Sequence, residues 1–357
     1  MAYTKNYTVT FQSGQVPSNQ TNFPAVIYGT YSYLATTAHG GYVQNTTTLN
    51  SQTVPADLIF TSDAGGSTLL NWEVAYYNAT TGAIEVWVQI PTLSSSSNTT
   101  IYMWVGNAAV TTYQCTATST WDSNFKAVYH LSNGSTLSLQ DSTVNNQTTN
   151  ANSTGTTPTA VSGKVDGGMQ IYGGSGTSGS GLNISPISTV GPNPPFTVQG
   201  WFYPTASTAQ AIFGSTQSVG DLEIRVYSDQ TINVLKNNIA QLAATTATAN
   251  LNAWNFVSVA VDSSDNIIIN LNGTAQTFSG AYSSIPNDGV NTIGYDVHSD
   301  VGMTGYIDEV EWSATNRTAN YIMAQYNNQS SPSSFYTISP VSPGTAFNDP
   351  LWFGMSC

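Results

Sequence analysis

The sequence predicts an all-β protein: two antiparallel β-sandwich domains in tandem, with one short C-terminal helix. Three observations carry this. Short apolar or alternating stretches recur along the chain, separated by Asn, Gly and Ser turns. Only 7% of the 357 residues are charged, against about 25% in an ordinary globular protein, so solubility rests on the hydroxyls and amides of an extended surface. A helical period of useful length appears in one stretch only, 318–327.

Residues 3–11 alternate and read as a first strand. Asn22–Tyr28 is a second, introduced by Pro24. Ala56–Thr61 is short and apolar and runs into a Ser-Asp-Ala-Gly-Gly turn. Asn71–Tyr77, Gly82–Ile90 and Thr100–Val105 complete a first domain over 1–110. Residues 111–122 have the Ala/Thr/Ser composition of a junction. A second domain is expected over 123–338. Its strongest strands are Phe196–Tyr203, Asp221–Tyr227, Trp254–Asp262, Asn266–Leu271 and Gly305–Trp312. Asn272-Gly273 is a hairpin turn signal. Thr318 is placed to cap the helix, whose Tyr321, Ile322 and Tyr326 share a face. Residues 339–357 form a Pro-rich tail ending in Leu-Trp-Phe-Gly-Met. That apolar end is expected either to tuck onto its own domain or to dock against other copies or virion proteins.

The net charge of −13 argues against nucleic acid, which calls for a Lys/Arg stripe. No run of 18 apolar residues suggests insertion into a membrane, and the start lacks an apolar leader core. An extracellular surface or a virion is the expected location. Two cysteines, Cys115 and Cys357, allow one internal disulfide or two free thiols. Twelve Asn-x-Ser/Thr sequons permit glycosylation of an exposed surface.

The chemistry centres on Gly305–Trp312. Alternation along a strand puts Asp308, Val310 and Trp312 on one face, and Ile307, Glu309 and Glu311 on the other. Asp308 would then sit at the rim of a core, where a carboxylate needs hydrogen bonds or a cation. Glu309 and Glu311 are two residues apart, a candidate acid pair for glycoside hydrolysis. His39, His130 and His298 are scattered, with no nucleophile elbow near them. His130 reads as a satisfied core or rim residue, and Asp296-Val-His-Ser-Asp300 as a polar hairpin tip. Gly173–Gly179 lacks the Lys-Ser/Thr ending of a phosphate loop.

Residues 121–338 resemble the concanavalin A-like, laminin-G-type jelly-roll domain. The matching pieces are Ala127–Leu131, the Asp-Ser-x-x-Asn turn at Asp141–Asn145, Val161–Ile171, Phe196–Pro204, Trp254–Val261 and the closing Gly305–Trp312. They occur in family order. Residues 3–105 resemble a domain of unknown function that commonly precedes it in bacterial, archaeal and phage surface proteins. Those pieces are Asn22-Phe-Pro, Ala56–Thr61, Trp87–Pro91 and Thr100–Gly106, the last departing from the usual Tyr-Tyr-Gly ending.

The resemblance implies a structural Ca²⁺ held by Asp141 and Asp308, with Asn145 as a third ligand. The alternative is that Asp308 accepts backbone N–H groups without metal. Jelly-roll glucanases space their carboxylates differently from Glu309 and Glu311, which weakens the hydrolase reading. Exposed aromatics of such modules stack on sugars, and Tyr172, Tyr203, Tyr227 and Tyr295 are the candidates. The expected function is non-enzymatic binding of a glycan or another cell-surface ligand. The alternatives are a structural virion, spike or filament component, and a glycoside hydrolase.

Overall fold

The computed structural model describes residues 3–115, 117–131, 134–147, 149–151, 155–174, 180–184, 194–215, 222–236, 240–282, 291–296 and 301–341. The chain divides into two compact units. One holds residues 1–122 together with 327–357, the other residues 123–326.

The first unit has a four-stranded antiparallel sheet in the spatial order Tyr336–Pro340, Lys5–Phe11, Thr99–Val105, Ile59–Thr61. A three-stranded sheet runs Gln20–Thr30, Ala83–Leu93, Trp72–Asn78. Alternation along Lys5–Phe11 buries Tyr7, Val9 and Phe11, as period 2 requires. Buried Asp57, from the Ala56–Thr61 stretch, accepts the backbone N–H groups of Gln44, Gly106 and Asn107 at 2.9–3.2 Å. It thereby pins two chain crossings to one strand start.

The far end of the chain completes this unit. Asn328 turns its side-chain amide to the edge of Gln20–Thr30, accepting from Val26 N–H at 2.7 Å and donating to Val26 C=O at 3.0 Å. That is the pattern a neighbouring strand would offer. Phe335 and Tyr336 pack edge-on against Phe11, and Tyr336–Pro340 pairs antiparallel with Tyr7–Phe11. Residues 327–340 therefore lie with the first unit, although the sequence pattern assigned 327–338 to the second domain and 339–340 to a tail. The rest of the tail, 342–357 with Cys357, lies outside the described residues. Cys115 is half-buried, its sulfur accepting the Trp72 N–H at 3.3 Å.

The second unit is a two-sheet sandwich. The larger sheet runs Thr159–Ser162, Gly167–Tyr172, Thr304–Ser313, Phe196–Pro204, Asn255–Val261, Ile267–Leu271, Thr274–Phe278, and Phe125–Tyr129 also pairs with Thr304–Ser313. The smaller runs Thr149–Ala151, Leu182–Ile184, Asn291–Ile293, Gln210–Ser215, Leu222–Val226, Thr231–Lys236, Ala240–Thr248. Their facing sides share one apolar core, including Val198, Phe202, Val257, Ile307 and Trp312 from the first and Ile224, Val234 and Ile293 from the second. Asn272 and Gly273 both take left-handed φ (51° and 84°), which makes the tight hairpin that Asn-Gly signals.

The helix spans Ala319–Ser330, and the division between units falls within it. Thr318 Oγ1 accepts the Tyr321 N–H at 3.2 Å, the expected cap.

Candidate functional site

The closing strand Thr304–Ser313 sits at the centre of the larger sheet, and it does not keep strict alternation. Gln199 pairs with Glu311 but Trp201 pairs with Asp308, so the closing strand carries one extra residue opposite Gly200. Glu309 absorbs the bulge with a left-handed φ of 50°. Gly200 leaves the room: a Cβ there would stand 3.1 Å from Glu309 O and 3.1 Å from Phe213 Cζ.

The bulge shifts the side-chain phase. Ile307, Val310 and Trp312 all join the core, while Asp308, Glu309 and Glu311 all turn away from it. The expectation that Asp308 shares a face with Val310 and Trp312, opposite both glutamates, is thus corrected.

Each of these three buried carboxylates has a partner. Asp308 Oδ2 accepts the backbone N–H groups of Lys164 and Val165, both at 2.8 Å. The turn that presents them depends on Gly163, where any side chain would collide with that carboxylate. Glu309 Oε2 lies 2.8 Å from His130 Nδ1, and Glu311 Oε2 accepts from Gln199 Nε2 at 2.8 Å. Burial pushes the Asp308 carboxyl well above the usual range, and the two N–H donors oppose it.

Asp141 is held separately. Its Oδ1 accepts from Val128 N–H (3.0 Å) and Thr143 N–H (2.9 Å), its Oδ2 from Thr143 Oγ1 (2.9 Å) and Gln147 N–H (2.7 Å). Four donors fill the four lone-pair sites of a carboxylate. Asn145 donates its amide to Phe125 and Lys126 carbonyls at 3.1 and 3.2 Å. Asp141 does not fit the Ca²⁺ ligand role that the resemblance implied, because four donors already occupy its oxygens. Asp141 instead ties Phe125–Tyr129 to its own turn, and Asp308 closes the 163–167 turn.

The four candidate tyrosines separate. Tyr295 is 1% exposed and its hydroxyl bonds Asn183 Oδ1, so it is a core residue and not an open stacking ring. Tyr227 follows the strand Leu222–Val226 of the smaller sheet, half-buried, its backbone N–H donating to Thr231 across the turn. Tyr203 and Tyr172 lie on the larger sheet, on the face turned away from the core. Tyr203 packs against two half-exposed rings that the sequence reading did not single out: Tyr306 at 5.2 Å and Trp254 at 5.6 Å between centroids. Register predicts the Tyr203–Tyr306 contact, since the two are direct cross-strand partners. Tyr172, 40% exposed, bonds Thr159 Oγ1 at 2.7 Å.

A second polar group, also missed, lies on the smaller sheet. In Leu222-Glu-Ile-Arg-Val226 alternation sends the apolar residues to the core and Glu223 and Arg225 to the opposite face, yet both are buried. Arg225 is ion-paired with Glu223, and its Nη2 lies 3.5 Å from Asp296 Oδ2. Burial, reinforced by the hydrogen bond and charge of Asp296, raises the Glu223 pKa to about 9 against the pull of Arg225.

With this geometry in place, comparison with known proteins is informative about fold. Residues 175–323 match the concanavalin A-like lectin/glucanases superfamily, and residues 55–154 match a domain of unknown function, DUF2341. No curated protein sequence matches the chain. Among solved structures, domain 4 of AbnA, an extracellular arabinanase from Geobacillus stearothermophilus in complex with arabinotriose, is 19% identical, with 56% of this chain and 97% of that one covered and a TM-score of 0.47. The botulinum neurotoxin type G receptor binding domain is 14% identical over 58% of this chain and 52% of its own, at 0.45. A SAP-like pentraxin from Limulus polyphemus is 16% identical over 36% and 68%, at 0.31. The chain thus carries a concanavalin A-like lectin/glucanase domain preceded by a domain of the DUF2341 family.

Proposed function

We propose that the protein is a non-catalytic recognition protein of a cell surface or virion, whose concanavalin A-like domain binds carbohydrate. One observation carries this reading: Tyr203, Tyr306 and Trp254 form a cluster of half-exposed rings on one face of the larger sheet. Aromatic faces in that setting stack on the apolar faces of sugar rings. The superfamily match and the arabinotriose-bound arabinanase domain are consistent with it. A hydrolytic role is disfavoured because Glu309 and Glu311, the candidate acids, are buried and engaged by His130 and Gln199.

A glycan array probed with the full chain tests the reading. Binding to at least one glycan class is expected, lost in Trp254→Ala and kept in Tyr227→Ala. Binding that survives both Trp254→Ala and Tyr203→Ala would move the function away from this surface.

A further inference from the structure

The aromatic cluster belongs to a longer row. Pairing places Thr159 opposite Gln170, Gln170 opposite Tyr306, and Tyr306 opposite Tyr203. Trp254 immediately precedes Asn255, the partner of Phe202, and its ring meets Tyr203 from the next strand. The row therefore runs perpendicular to the strands. From Gln170 to Trp254 it crosses four neighbouring strands, about 14 Å at the usual interstrand spacing of about 4.8 Å.

The chemistry along this row is uniform. One hydroxyl and one amide lead into three consecutive rings, and no Asp, Glu, Lys or Arg occupies any of its positions. Asp308, two residues along the strand from Tyr306, is buried, its Oδ2 accepting the Lys164 and Val165 N–H groups. At the two ends of the row stand two of the most exposed large apolar side chains of this unit. Tyr172 (40%) adjoins Gln170, and Leu251 (39%) lies in the turn whose Asn252 N–H donates to Pro204 at 2.8 Å.

We infer that this surface takes an uncharged, linear glycan lying across the strands, with room for about three consecutive sugar rings. The inference rests on the glycan-binding reading and adds charge class, direction and length to it. Among the described residues no position of the row offers a counter-ion to a charged chain, the neighbouring Lys164 ammonium being turned to the Trp201 ring at 5.1 Å, and a single sugar would use one ring of the row. Gln170 supplies a fixed amide for hydroxyl recognition beside the stacking rings.

Titration calorimetry of the full chain would decide it. The probes are neutral xylo-, manno- and arabino-oligosaccharides of one to six units, with oligogalacturonates of the same lengths, each at low and high salt. For one neutral series, affinity is expected to rise about tenfold with each of the first added rings, level off by four units, and ignore salt. Trp254→Ala and Tyr306→Ala should each shorten that rise, while Trp254→Phe retains it. Equal affinity for one unit and three, or salt-sensitive binding of oligogalacturonate alone, would overturn the inference and leave glycan binding standing. Failure of every probe with a natively folded chain would overturn both.

Discussion

Two regions of one sheet face invite comparison. The strands Phe196–Pro204 and Thr304–Ser313 carry both, only a few residues apart. At one end Tyr203 and Tyr306 face outward as half-exposed rings with Trp254. At the other, Gln199, Glu309 and Glu311 are buried and matched to partners. The acidic end has the residue types that suggest chemistry, yet each of its carboxylates is buried with one oxygen engaged by a protein partner. The aromatic end has none of that chemistry and retains the surface a ligand needs. Residue type identifies candidates; exposure selects among them.

The largest expected effect lies at the acidic end. Asp308→Ala strands the buried Lys164 and Val165 N–H groups and should cost about 3 kcal/mol, read by denaturant unfolding. Gly200→Ala presses on the bulge from the other side and should cost about 1–3 kcal/mol with glycan binding retained in the folded fraction. A mild effect of Asp308→Ala would show that the acidic end is not structural, and the contrast would collapse.

Next in size is Trp254→Ala, expected to weaken glycan affinity at least about tenfold while Glu311→Gln leaves it unchanged. The reverse outcome would exchange the roles of the two ends.

The smaller sheet extends the comparison through pH. Burial raises the Glu223 pKa in the folded state to about 9, from 4.5 for the group in water. Between those values the folded chain binds more protons, so this group's contribution is full below pH 4.5 and is lost as pH rises toward 9. Glu223→Gln should flatten the alkaline fall in stability, by at most about 1.4 kcal/mol per pH unit. An unchanged slope, from melts at several pH values, would remove the proton from Glu223.

The smallest expected effect is none: Asp141→Asn should leave the response of the melting temperature to added Ca²⁺ unchanged, since four donors already fill the Asp141 carboxylate. A calcium-dependent rise of several degrees that Asp141→Asn abolishes would restore calcium to this turn.

Much of the fold was legible because its signals are local. Asn272-Gly273 announced its hairpin, Thr318 its cap, and Tyr7, Val9 and Phe11 their buried face. The site was legible only in part. Tyr203 was found and Tyr306 and Trp254 were not, because their meeting depends on register between strands some 50 to 100 residues apart. Tyr295 looked equivalent to Tyr203 in its strand context and proved to be 1% exposed.

By itself, then, the sequence determined an all-β chain, its turns, its helix and the jelly-roll motifs, because period, capping and turn chemistry act over a few residues. Tertiary structure alone decided the rest. It assigned Tyr336–Pro340 to the first unit's sheet by pairing it with a strand more than 300 residues earlier. It also placed one extra residue at Glu309, which turned Asp308 and both glutamates to a common face. A bulge is chosen by the partner strand, here by the space above Gly200, and one slipped residue reverses every side chain beyond it.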